Sequence, residues 1–268
     1  LSYGTSYNTH FKAHGQQGLH MPARVTAKEI IRQSSQGVSV QPFLIRADDD
    51  QTYFVKGFSR ALAPGLTSEA LAAELGAHLG LPIPPWVIMD IPQRLIDFSL
   101  AANVRDLEGG PAFASLQVDN ASDVSWAHVS SIPADLKKRV LLFDWWIGNG
   151  DRGLGPMGGN VNLVLDSGGG LAVIDHNIAF DSGLDPEEFR QYHVFRDQLS
   201  AKTGELLARL DFLPLLDAAL ADWDRITSLL PEEWVNRDFG HGEQYEPTLA
   251  ERYQLLERFK DGQFWGQL

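Results

Sequence analysis

The chain has 268 residues, 44% of them hydrophobic and 21% charged, and no cysteine. That composition supports a buried core and excludes a disordered tail. The missing cysteines exclude a disulfide scaffold, a thiolate zinc site and a Cys nucleophile, and they agree with a cytoplasmic setting. Twenty-two Lys and Arg face 35 Asp and Glu, a formal charge of −13. So acidic a surface repels nucleic-acid phosphates and anionic lipid, which weighs against a nucleic-acid or membrane-surface role.

No apolar run has the length of a membrane span, and the first residues lack the basic-then-apolar order of a signal peptide. Residues 1–20 are polar and Gly-rich, with His10, His14 and His20 at a spacing that matches no metal-ligand pattern. They read as an N-terminal arm ahead of a core that starts at Met21. Residues 38–46 and 52–56 are rich in Val, Ile, Phe and Tyr and predict two strands, joined by the turn Ala47-Asp48-Asp49-Asp50-Gln51. Leu71, Leu75 and Leu79 recur every four residues and predict a helix over 68–79, with Gly80 as its stop. Residues 86–91 read as another strand. Residues 103–125, rich in Gly, Asn and Asp, read as an irregular connection between two lobes. Pro133 suits a first helical position, and Leu136, Val140, Phe143 and Ile147 give the helix that follows one apolar stripe. Trp145 and Trp146 belong to the core on this reading. Strands over 161–165 and 171–174 come next, and the remainder is helical, closing over 248–260 with Thr248 and Glu251 as a capping box.

Residues 144–181, DWWIGNGDRGLGPMGGNVNLVLDSGGGLAVIDHNIAFD, carry the chemistry. A buried helix runs into a polar loop and then a hairpin whose second strand ends on Asp175. That order gathers Asp151, Asn160, Asn162 and Asp175 at one end of the hairpin. Carboxylate and amide oxygens are the hard ligands that Mg²⁺ prefers, and an aspartate left over can accept a proton from a hydroxyl. Phosphoryl transfer needs these parts and a cation for the phosphates. Lys56, at the end of the apolar run YFVK, supplies one.

The stretch resembles the HipA-like kinase domain, a bacterial branch of the protein-kinase-like superfamily that shares features with phosphatidylinositol kinases. Asp144, Asn149, Asp151, Arg152, Asn160 and Asn162-Leu163 meet the family pattern in order, and Asp175 in VIDHNIAF takes the place of its metal-binding Asp. The likeness extends through QPFLIRADDDQTYFVKG and SEALAAELGAHLGLPIP, covering most of residues 38–181, with 182–268 alike only as a generic helical lobe. The resemblance implies an α+β, two-lobed protein-kinase-like fold: a strand-rich N-lobe over 21–117 and a mainly helical C-lobe over 118–268. It implies ATP and Mg²⁺ as cofactors and transfer of a phosphoryl group to a hydroxyl, with protein Ser or Thr the first choice and a small molecule or lipid the alternative. Asp151 would act on the acceptor hydroxyl, and Asp175 with Asn160 or Asn162 would hold the metal. Lys56 would reach the α- or β-phosphate and pair with Glu69 rather than Glu74. Ser35, Gly37 and Arg152 would lie against the nucleotide, Ser34 or Ser35 would be open to self-modification, and Asp144 would order the catalytic loop.

Two departures from the pattern stand out. Asn160 follows Asp151 by nine residues, farther than the family interval, and the surplus GLGPMGG reads as an outward-folded insertion. The phosphate loop around Ser34-Ser35-Gln36-Gly37 holds a single glycine. Both features keep open a second function, a pseudokinase that binds nucleotide without turnover.

Overall fold

The computed structural model describes residues 22–34, 41–155, 159–198, 203–235 and 247–268. The expected arm 1–20, Ser35, Gly37 and the middle of the GLGPMGG insertion lie outside the described residues.

Short runs of β-branched and aromatic residues bury alternate side chains and close a five-stranded barrel. Its strands are β1 (Arg24–Gln33), β2 (Phe43–Ala47), β3 (Thr52–Lys56), β4 (Trp86–Ile91) and β5 (Gly110–Leu116), in the order β1-β2-β3-β5-β4. Parallel pairing of β1 with β4 shuts the ring. Closure leaves no open sheet edge and points Val25, Phe43, Ile45, Tyr53, Val55 and Met89 inward to one core. The turn after β2 forms where expected: Ala47 N donates to Gln51 O (3.0 Å), with Asp50 in the left-handed region at φ 63°.

β1 and β5 go beyond the sequence reading, as does a two-residue strand over Ser122–Asp123. β1 has no steady alternation because register shifts at Ala27/Glu29 and Ile30/Arg32 break its pattern. β5 lies inside the segment expected to be irregular, yet it hydrogen-bonds to both β3 and β4. Its Gly, Pro and Ser give it little strand character of its own, so two-sided pairing makes it a strand.

Helix α1 (Phe58–His78) begins well before the expected Ser68 and is interrupted at Leu62 (φ 56°, ψ 165°), two residues ahead of Pro64. Proline cannot donate its amide, so a break there removes a clash and a lost bond together. Beyond β4 come α2 (Gln93–Asp97) and a 3₁₀ turn over Val104–Leu107. After β5 the chain forms β6 (Ser122–Asp123), α3 (Trp126–Val129) and α4 (Ala134–Trp146), with Pro133 as the N-cap rather than the first helical residue. Strands β7 (Leu163–Leu165) and β8 (Leu171–Val173) join β6 in a three-stranded sheet. The rest is helical: α5 (Pro186–Tyr192), α6 (Thr203–Ala221), α7 (Trp223–Ser228), α8 (Glu232–Val235), α9 (Leu249–Leu256) and α10 (Gly262–Gly266). The expected final helix is thus α9, a 3₁₀ turn over Glu257–Lys260, and α10. Thr248 and Glu251 do form the capping box. None of the described helices is long and apolar enough to cross a membrane.

The larger core lies in the helical part. Trp145 and Trp146 are buried there, and their indole nitrogens donate to Phe264 O (3.1 Å) and Leu256 O (2.9 Å). Leu71, Ala72 and Leu75 of α1, with Leu79 just past its end, belong to this same core, whereas Ala61, Ala63, Leu66 and Ala70 pack with Phe58, Ile88, Phe113 and Trp234. Helix α1 is therefore shared between the barrel and the helical part.

Gly57, between β3 and α1, lets the 3₁₀ turn pass at close range: a Cβ there would come within 2.3 Å of Leu107 Cα. Backbone atoms cannot rotate away, so Gly57→Ala should cost at least about 2 kcal/mol in urea unfolding. Gly262→Ala, where a Cβ meets nothing within 4 Å, should stay within about 0.5 kcal/mol.

Candidate active site

Lys56 ends β3 with its side chain turned inside, 7% exposed. Its Nζ donates to Glu69 Oε1 and to Asp175 Oδ1, the latter at 2.5 Å. Glu69 comes from α1 and accepts His176 N on its other oxygen (3.1 Å). Burial alone would pull the Lys56 ammonium down, but the Asp175 and Glu69 carboxylates outweigh it and hold its pKa above the ordinary value. Burial pushes Glu69 up against the pull of Lys56, while for Asp175 the lysine wins over burial and holds the carboxyl low. Two carboxylates on one ammonium leave the cluster one negative charge in excess. Glu74 faces elsewhere: it accepts Trp86 Nε1 (3.0 Å) and Arg225 Nη2 (3.2 Å) and is no solvated surface residue.

A second group sits on the hairpin of β7 and β8. Asp151 Oδ2 accepts the amide nitrogens of Asn160 (3.1 Å) and Asn162 (2.9 Å). Asn162, just before β7, and Asp175, just after β8, both take left-handed backbone angles, φ 48° and 61°. Burial raises the Asp151 pKa, and the Asp175 charge adds to this against the two amide bonds. A carboxylate so placed is a stronger proton acceptor than a free aspartate.

Between the two groups lies a buried hub. Asp144, on α4, has no exposure and accepts Asn149 Nδ2 (2.8 Å), Arg152 Nε (2.7 Å) and His193 Nε2 (3.0 Å). Burial would raise its pKa, yet Arg152 and His193 together hold it below the carboxylate range. Arg152 also has no exposure; it donates to the carbonyls of Val161 (3.1 Å), Asn162 (2.5 Å) and Ile174 (3.3 Å) and to His176 Nε2 (3.1 Å). The expectation that Arg152 lies against a nucleotide is therefore corrected. Its nitrogens are committed to protein acceptors, so it shapes the loop and cannot reach a ligand. Asp144 occupies the loop-ordering position expected of it.

Sequence reasoning passed over His176 and His193. Arg152 can only donate, so His176 Nε2 is an acceptor and its proton sits on Nδ1. His193 Nδ1 accepts Phe195 N (3.1 Å), which leaves Nε2–H for Asp144. Segment 192–194 runs beside the loop that carries Asp151 and Arg152, with Leu154 N on Tyr192 O (2.8 Å) and Val194 N on Arg152 O (2.9 Å). No motif marks this segment; only the neighbouring Asp175 hinted at His176.

Asp175, Asn160 and Asn162 offer oxygen donors next to an excess of negative charge, a donor set that fits a hard divalent cation. Among the described residues no three His, Cys, Asp or Glu side chains gather for a metal. One carboxylate with amide oxygens is a set that a hard divalent cation can complete with other oxygen ligands. Ser34 is buried, and its N donates to Pro42 O (2.8 Å). A cavity of about 680 Å³ lined by Gln93, Ile96 and Arg105 shares no residue with this site.

A family model described as HipA-like kinase matches residues 27–268. The match takes in most of β1 and the whole helical part, so the likeness is wider than the expected 38–181. Among solved structures, a proinflammatory kinase, CtkA, of Helicobacter pylori is similar at 13% identity and a TM-score of 0.53, covering 90% of this chain and 94% of that one. The Golgi casein kinase with Mn/ADP bound also matches, at 13% identity, TM-score 0.43, 93% of this chain and 73% of that one. No curated protein matches. The first structure supports the two-lobed kinase fold expected from the sequence.

The hub should dominate stability. Asp144→Asn leaves the Arg152 charge buried without its counter-ion and should cost about 3–5 kcal/mol in urea unfolding. Acid should act there too. Burial, with Arg152 beside it, pulls His176 down to about 3, and burial lowers His193 as well. The unfolded chain then binds protons that the folded chain refuses, so this stability is complete above about pH 6.5 and is lost as pH falls toward 3. His176 alone should remove about 2 kcal/mol between pH 8 and pH 5, and His176→Gln should flatten the slope.

Proposed function

The chain belongs to the HipA-like kinase family, and on that premise we propose that it transfers the γ-phosphate of ATP to a hydroxyl, a Ser or Thr of a protein by first choice. The observation that carries the reading is Lys56 pinned between Glu69 and Asp175 while two asparagine amides hold Asp151. A phosphate-binding cation, a metal carboxylate and a proton acceptor are the parts that phosphoryl transfer requires.

In this reading Lys56 Nζ, fixed in direction by Glu69, meets the α- or β-phosphate. Asp175 and either Asn160 or Asn162 hold Mg²⁺. The metal, when bound, neutralises charge that builds up on the phosphates. Asp151 orients the acceptor hydroxyl and takes its proton as the oxygen attacks. The amide bonds to Oδ2 leave Oδ1 for the acceptor. The choice of a protein acceptor rests on the resemblance to HipA-like kinases alone; a small molecule or lipid is the alternative. The pseudokinase reading is disfavoured by the intact set of Lys56, Glu69, Asp151 and Asp175.

Asp151→Ala should lower ATP consumption at least about 100-fold and leave nucleotide affinity nearly unchanged, because the group acts on the acceptor. Asp175→Ala should abolish calorimetric binding of Mg-ATP. Wild-type turnover equal to that of Asp151→Ala would sink the enzyme reading, and label from γ-³²P-ATP appearing in the lipid or small-molecule fraction of a lysate would reassign the acceptor.

A further inference from the structure

Resting on the kinase reading above, we propose that Arg252 is a positioning residue: from α9, far along the chain, it holds α1 where Glu69 can pair with Lys56. Arg252 is 1% exposed. Its Nη1 donates to Ser68 Oγ (2.7 Å), Nη2 to Pro64 O (3.0 Å) and Nε to Pro247 O (2.9 Å). Two of these acceptors lie on the turn of α1 that runs into Glu69. The guanidinium also sits 4.9 Å over the Phe180 ring.

That placement joins both elements that partner Lys56. Ser68 is the residue before Glu69, and its hydroxyl lies 2.8 Å from Pro64 O and 3.2 Å from Ala179 O, four residues past Asp175. Phe180 N donates to Ile147 O (2.6 Å), which ties the same segment to the end of α4. The break at Leu62 uncouples this stretch of α1 from its first turn, so the helix axis does not by itself set the position of Glu69. Arg252 adds a constraint from α9 at the turn that leads into Glu69. Trp234 holds the other flank, with Nε1 on Pro111 O (3.0 Å) and its carbonyl accepting Thr67 Oγ1 (3.3 Å).

Stability alone accounts poorly for a charge at this point. Among the described residues no carboxylate pairs with Arg252, and burial pulls its pKa down to about 10. An uncompensated buried cation is destabilising relative to an apolar side chain of similar length. What the guanidinium provides is direction: planar donors set toward acceptors on separate segments.

The test uses the full chain and two readouts. The first is the rate at which Lys56 is acylated by a small N-hydroxysuccinimide ester without nucleotide, mapped by mass spectrometry. The second is the split between kcat and the KM for ATP. Arg252→Met should raise Lys56 acylation at least about threefold and lower kcat about tenfold, and Arg252→Lys should recover part of both. In a Glu69→Gln background Arg252→Met should change kcat by less than about twofold, because residues acting through one contact are non-additive. Unchanged acylation, or effects that multiply in the double variant, would overturn the proposal. If Arg252→Met fails to fold, Ser68→Ala removes the link with little change of volume and should raise acylation in the same direction; a wild-type rate would overturn it. Acylation needs no turnover, so a chain without phosphotransfer would refute the kinase reading and still answer for Arg252.

Discussion

The ion pair between Asp144 and Arg152 is closed to water at both ends, and the site is arranged around it. Burying two charges is costly, and their attraction compensates only when the remaining lone pairs and protons also find partners. Here they do: Asn149 and His193 fill Asp144, while three carbonyls and His176 fill Arg152. Each bond pins a neighbour of a chemical residue. Arg152 adjoins Asp151, it grips the carbonyl of Asn162, and Ile174 and His176 flank Asp175. Asp151, Asn162 and Asp175 owe their directions to Asp144 and Arg152, which have no exposure.

Helix α1 makes the same point at larger scale. Its Leu71, Ala72 and Leu75 lie in the core of the helical part, while Ala63, Leu66 and Ala70 pack toward the barrel. The pairing of Lys56 with Glu69 thus joins a barrel strand to a helix anchored on the far side. Gly57 permits it, because the turn at Leu107 needs the room a side chain would fill. The interruption at Leu62 separates the short first turn from the long packed portion, and contacts from α8 and α9 hold that portion in place.

The overall charge of −13 bears on the site less than the local balance does. Lys56 sits between two carboxylates, and Asp151 lies nearby with its pKa raised. An excess of negative charge next to amide oxygens suits a cation, and through a cation it suits polyphosphate. An acidic surface and an anionic ligand are compatible when the site itself is built this way.

The order of Asp144, Asn149, Asp151, Arg152, Asn160, Asn162 and Asp175 was legible in the sequence because the residues follow one helix, one loop and one hairpin. Lys56 and Glu69 were legible for the same reason: a strand end and the helix after it are neighbours in the chain. The capping box at Thr248 and the turn after β2 rest on local hydrogen bonds and needed nothing more. Tertiary structure alone decided the rest. β5 is a strand because two others flank it, and β1 hides its pattern behind irregular register. Arg152 has the residue type of a phosphate ligand, and only its complete burial makes it a scaffold. His193 and Arg252 stand 49 and 184 residues from the partners they bond. No spacing rule reaches that far, because such contacts are made by packing of the folded chain and not by its local geometry.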